Sequence, residues 1–168
     1  MTMLVDWQIA QLSKGATPLI TPFDKRLLNP ASYDVTLQQE VKIQSPNCRA
    51  GAASWQNTRL PMLVPKGTLV IAAIEQKIIL PKNMAAIFYL KSSRAREGWD
   101  HLNARFADPG YEGNLTLEII HHSSYDMQLK PFMKFGQLIF HKLNEVPEKD
   151  YSVTGRYQGD TKPQLSRG

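Results

Sequence analysis

The sequence predicts a mostly β protein, a barrel or sandwich built from short strands. Short apolar or alternating runs recur at 68–75, 77–80, 85–90, 115–121, 127–129 and 137–143, each of strand length. Turn-forming residues separate them: Pro65-Lys66-Gly67, Pro81-Lys82-Asn83, Asp108-Pro109-Gly110, Pro131 and Gly136. Helical periodicity is confined to one place near the N-terminus. Many short strands with little helix is the pattern of an all-β domain.

Taken in order, Trp7, Ile9, Ala10 and Leu12 fall at helical spacing over 6–13, with Asp6 as a candidate cap and Gly15 as a stop. Pro18, Pro22 and Pro30 make 16–31 extended and irregular. From Ser32 the pattern turns β: Tyr33, Val35, Leu37 and Val41 largely share one face, with Asp34, Thr36 and Gln38 opposite. Residues 47–61 carry Gly, Ala, Ser and Asn without a period and read as a loop holding the single cysteine, Cys48. After Pro147 the chain turns polar, and such a segment stays mobile unless something orders it. The expected division is a β domain over 1–150 and a C-terminal tail over 151–168.

A length of 168 residues fits one domain, and 42% hydrophobic residues suffice for a packed core. No apolar run reaches the roughly 18 residues a membrane span needs. The N-terminal MTMLVDWQIAQ lacks a secretion pattern, and one cysteine suits a reducing compartment, so a cytoplasmic location is expected. A net charge of +5 favours an anionic partner. Lys91, Arg94, Arg96 and Arg105 cluster while other basic residues scatter, which favours a compact phosphate ligand over nucleic acid, and no membrane partner is expected.

Residues 91–120 carry the densest chemistry. Lys91-Ser92-Ser93-Arg94-Ala95-Arg96 follows an apolar strand, and hydroxyls, strand-end amides and cations can cradle phosphate oxygens; a plain solvated turn reads equally well. Asp108-Pro109-Gly110 is a tight turn, with Tyr111 beside it to cover a sugar or base and Asp108 able to accept from a ribose hydroxyl. Alternation over 115–120 puts Leu115, Leu117 and Ile119 on one face and Glu118 on the other with Thr116 and Ile120. There Glu118 is either an outward surface acid or a half-buried one whose desolvation raises its pKa into general acid–base range. The four histidines have no metal-site spacing and read as structural or surface residues, and a zinc deaminase's cysteine pair is missing. No Walker loop, dinucleotide fingerprint or nucleophile elbow is present.

Taken together, Asn29-Pro30-Ala31-Ser32-Tyr33-Asp34-Val35-Thr36-Leu37, Ser92-Ser93-x-Ala95-Arg96, Asp108-Pro109-Gly110-Tyr111-x-Gly113-x-x-Thr116-Leu117-Glu118, Gly136-Gln137-Leu138 and Arg156-Tyr157-Gln158-Gly159 resemble the dCTP deaminase branch of the dUTPase-related trimeric β proteins. The resemblance implies a distorted β-barrel or jelly roll, a homotrimer with sites shared between subunits, and a C-terminal lid. It implies that Glu118 activates water for attack on C4 of cytosine without zinc, giving dUTP and ammonia, with Mg2+ accompanying the triphosphate of dCTP. It further assigns Lys91, Ser92, Ser93, Arg94, Ala95 and Arg96 to the phosphates and Asp108 to the deoxyribose. Ala104 borders the reacting centre, Tyr111 and the strand around Thr116 and Leu117 serve sugar and base, and Tyr151, Arg156 and Asp160 close over the nucleotide.

The chain departs from that family pattern at Arg94 (usually Leu), Asn103 (Thr), Arg156 (Lys) and Asp160 (Gln), and residues 97–107 are about one residue short. A carboxylate at 160 cannot donate as an amide does, and it repels phosphate. The alternatives are a dUTPase, a bifunctional enzyme releasing dUMP and pyrophosphate with Asp108 activating the second water, and a non-catalytic nucleotide sensor.

Overall fold

The structure is a computed structural model that describes residues 2–44 and 54–168. The long strand Lys134–Lys142 is the spine of the larger sheet. It pairs antiparallel with Met84–Leu90 on one side, from Met84 opposite Lys142 to Leu90 opposite Gly136, and with Ser32–Thr36 on the other. Thr2–Met3, Leu28–Asn29 and Phe106–Ala107 complete that sheet. The second sheet runs Trp99–His101, Thr116–His121, Val70–Ala73, Glu40–Gln44, Trp55–Arg59. Two small ribbons, one of Glu112–Gly113, Lys77–Ile79 and Ile20–Thr21, the other of Met127–Leu129 and Met62–Val64, fill the ends.

Alternation decides which side chains meet between the sheets. In Thr116–His121, Leu117, Ile119 and His121 are buried while Thr116, Glu118 and Ile120 lie half-exposed on the other face. From the larger sheet come Phe88, Phe135, Leu138 and Phe140, all buried in the same core. The Trp99 ring lies 6.0 Å from Phe135 across the gap, edge-on, a favourable aromatic arrangement. Gly136 makes room for Phe88: a Cβ there would sit 2.1 Å from the Phe88 ring. Among the described residues the sheets stay open and stack in jelly-roll fashion, within the mostly β class expected.

Several expectations are sharpened. The N-terminal helix is Asp6–Leu12, but Val5 is its cap: the Gln8 side-chain oxygen accepts from the Val5 N–H at 3.0 Å, and Asp6 is the first-turn acid. The stretch read as a loop over 47–61 contains the strand Trp55–Arg59, which a polar sequence conceals; Cys48 lies outside the described residues. Asp34 and Thr36, expected opposite the core, are buried as well, because Ser32–Thr36 is covered on both faces. Burial alone pushes the Asp34 carboxyl up, yet hydrogen bonds from Lys91 (2.7 Å) and Asn29 (2.8 Å), with Lys134 at 3.3 Å, outweigh it and hold the group below its usual range.

Candidate active site

The turn after Phe106–Ala107 begins the site. Tyr111 N–H donates to the Asp108 carbonyl at 3.1 Å, with Pro109 and Gly110 between and φ of +82° at Gly110; this is the type II pattern, in which Gly is favoured at the third position. A Cβ on Gly110 would also meet the Asp150 carboxylate at 2.7 Å. The turn delivers the chain into Thr116–His121 with Thr116 and Glu118 on the same, non-core face.

Residues 150–168 dock along this segment. Asp150 caps the short helix Tyr151–Thr154 and pairs with Lys82 at 2.9 Å, and hydrogen bonds from Ser152 followed by Lys82 hold its carboxyl below the usual range. Tyr151 N–H donates to the Pro109 carbonyl at 2.8 Å and its ring stands edge-on to Tyr111 at 5.6 Å. The Gln158 amide accepts from the Glu112 N–H at 3.1 Å and donates to the Gly110 carbonyl at 3.0 Å. Further along, Asn114 N–H donates to the Asp160 carbonyl at 2.8 Å and Gln164 N–H to the Thr116 hydroxyl at 3.2 Å. What orders this polar segment is main-chain pairing joined by side-chain hydrogen bonds from Gln158 and to Thr116.

Between the tail and the second sheet lies a cavity of about 550 Å³, within the range of small-molecule sites. Glu118, Asp108, Asp160, Thr116, Tyr111 and Tyr151 line it, with Ala104 at its edge; Trp55, Ile71, Phe106, Tyr157 and Leu165 supply apolar wall. Burial pushes the Tyr111 phenol up, with Tyr151 and Asp160 adding to the shift, so it stays a neutral donor. The Glu118 side chain is 29% exposed, yet its Oε2 is buried without a hydrogen-bond partner. Buried polar atoms left unpaired are uncommon and call for a reason.

The structure brings together Ala104, Asp108, Tyr111, Thr116, Glu118, Tyr151 and Asp160 from the expected set. It does not bring the rest. Leu117 points into the core, contributing only backbone to the strand. Arg156 is exposed, its carbonyl accepting from Arg167. Ser92–Arg96, expected to hold the phosphates, forms one helical turn outside the cavity lining, with Ser92, Ser93, Ala95 and Arg96 exposed. Lys91 is engaged by Asp34, and Arg94 pairs with Glu97 at 2.7 Å beside Trp99. Two of the unusual charges are thus locally balanced: Arg94 by Glu97, and Asp160 by Arg167 at 2.7 Å, whose guanidinium also stacks over Tyr157.

Sequence reasoning missed His101. Its ring is 3% exposed, Nε2 lies 3.4 Å from Glu118 Oε2, and the strand Trp99–His101 pairs His101 with Ile119. The alternation of Trp99 and His101 was a readable signal, but a three-residue strand is too short for it to stand out.

The dCTP deaminase-like family model matches residues 3–143. The chain belongs to this family. It is 32% identical over 173 residues to a dUMP-forming dCTP deaminase of Clavibacter michiganensis, covering 94% of this chain and 86% of that one. Against a dUMP-forming dCTP deaminase of Thermobifida fusca it is 32% identical over 180 residues, covering 98% and 92%. The crystal structure of a 2'-deoxycytidine 5'-triphosphate deaminase from Agrobacterium tumefaciens matches with a TM-score of 0.68 and 20% identity, over 83% of this chain and 48% of that one. The chain therefore spans about half that structure, and the likeness shows that the dCTP deaminase-like chain has the family's fold. Among the described residues no helix is long and apolar enough to cross a membrane.

Proposed function

We propose that the cavity is part of an active site that converts dCTP to dUMP, pyrophosphate and ammonia. The observation that carries this is Glu118, a carboxylate with one oxygen buried and unpartnered on the wall of a nucleotide-sized cavity, in a chain whose relatives are named dUMP-forming dCTP deaminases. Two waters are consumed. Glu118 takes a proton from the first as its oxygen adds to C4 of cytosine, and returns protons to N3 and the amine, so that the C4–N bond breaks and ammonia leaves. The second water attacks the α-phosphate and breaks the α–β bond, with Asp108 at the cavity wall as the carboxylate to accept its proton. The relatives' name favours this dUMP end product over the dUTP expected from the motifs.

Among the described residues the wall holds three carboxylates, Asp108, Glu118 and Asp160, and no lysine or arginine. Such a wall repels a triphosphate. Cations have to come from elsewhere, and Ser92, Ser93 and Arg96 are exposed on their helical turn away from the cavity. This supports a homotrimer in which that turn reaches a neighbour's cavity and Arg156 folds in with the lid. Among the described residues no group of three acidic, histidine or cysteine side chains converges to hold a metal. Magnesium would thus be held by the phosphate oxygens, hard donors of the kind it prefers, and would shield their charge. No zinc enters the scheme. The cytoplasm, where nucleotide pools lie, suits this reading.

Incubating the protein with dCTP and Mg2+ and resolving the products tests it. Equal amounts of dUMP, pyrophosphate and ammonia are expected. Accumulating dUTP would restore simple deamination, pyrophosphate without ammonia would indicate a dUTPase, and tight binding without turnover would indicate a sensor.

A further inference from the structure

We infer that His101 is the positioning residue of the Glu118 carboxylate, donating from Nε2 to Oε2 so that the other oxygen faces the reacting water; this rests on reading Glu118 as the base. Three buried atoms in one place lack hydrogen-bond partners: Glu118 Oε2 and both ring nitrogens of His101. The nearest contact among them is Nε2 to Oε2, at 3.4 Å. Such contacts are often long before substrate binds and tighten in the working complex.

The tautomer follows from the surroundings. An unpaired N–H donor in a buried site costs more than a bare ring lone pair with no donor near it. A proton on Nε2 gives the ring's single donor to Glu118 and leaves Nδ1 as the bare nitrogen. The ring cannot swing away, because Phe88 packs against it at 4.8 Å. Its backbone is also fixed: the His101 N–H donates to the Asp100 carboxylate at 2.7 Å, and the next N–H, of Leu102, to the Glu118 carbonyl at 3.1 Å. The charged groups facing the imidazole are therefore Glu118 and, on its own strand, Asp100. The strand Met84–Leu90 presents Phe88 and no charge.

The test uses two replacements in the intact protein with dCTP as substrate. His101→Phe is expected to lower kcat about 100-fold with KM within about threefold, the cost of misorienting a reacting group. His101→Gln keeps an N–H donor and is expected to recover about tenfold of that loss. Wild-type kcat in His101→Phe, or no recovery in His101→Gln, would overturn the proposal. Wild type is run alongside: no turnover by wild type sinks the deaminase reading and this proposal with it, whereas equal turnover in wild type and His101→Phe sinks the proposal alone. Independently of turnover, the His101 ring nitrogen resonances are expected to shift in Glu118→Gln, and unchanged resonances would also overturn it.

Discussion

Two segments that sit side by side in sequence, 91–96 and 108–118, are built in opposite ways. The first is an exposed helical turn with two half-buried cations tied into the protein's own charges, Lys91 to Asp34 and Arg94 to Glu97. The second is locked between a type II turn, a five-stranded sheet and the docked tail, and it lines a cavity. One segment offers cations and hydroxyls away from the cavity; the other holds carboxylates in it. The difference teaches that neighbouring motifs need not line one cavity within one chain, and under the proposed function the acidic half needs a source of positive charge.

The largest expected effect separates chemistry from binding. Glu118→Gln should lower deamination by about 1,000-fold, as loss of a general acid–base does, while dCTP affinity stays within about threefold; ammonia release at the wild-type rate would remove Glu118 from its role. Next, the sharing of the two segments between copies is tested by complementation. Arg96→Ala should raise KM about tenfold or more through loss of a charge-assisted phosphate contact. Mixing it with Glu118→Gln should yield activity well above either parent, because some mixed sites combine an intact 96 with an intact 118. Parental activity only would confine each site to one copy.

A smaller effect concerns how the outward segment is anchored. Asp34→Asn should cost about 2–4 kcal/mol at neutral pH by leaving Lys91 without its buried partner, read from denaturant midpoints. The folded Asp34 carboxyl titrates below its unfolded value. Its stabilisation is therefore present above the unfolded carboxylate pKa and is lost as pH falls through the folded one, a slope that Asp34→Asn should flatten. The smallest effect is expected at the lid. Asp160→Gln removes a carboxylate from the cavity wall together with its ion pair to the exposed Arg167, and should lower KM for dCTP by about threefold through reduced repulsion of the phosphates; a higher KM would show that the Asp160–Arg167 pair shapes the lid.

The fold was legible where a strand was long enough to show a continuous apolar run, as in Met84–Leu90, or an alternation, as in Thr116–His121. It was hidden where strands are short or polar: Trp55–Arg59 alternates hardly at all, and Trp99–His101 has only three residues. Within the site, Glu118 and Asp108 stood out because an acid in an apolar strand and a Pro-Gly turn break local pattern. His101 did not, since its partner lies 17 positions on in sequence and is met only through strand pairing. The same histidine reading serves well for His121, whose ring meets the Ser123 hydroxyl at 2.8 Å and the Val64 carbonyl at 3.0 Å.

Gly136 gives the molecule an unexpected point of leverage. Its missing side chain admits Phe88, Phe88 holds the His101 ring, and His101 borders Glu118. A screen for lost activity would score a substitution at 136 as damage to the scaffold and discard it. Yet the space left by a single hydrogen in the spine of one sheet is where the aim of a carboxylate in the other is set, so a gently destabilised variant at this position is worth sequencing as an active-site mutant.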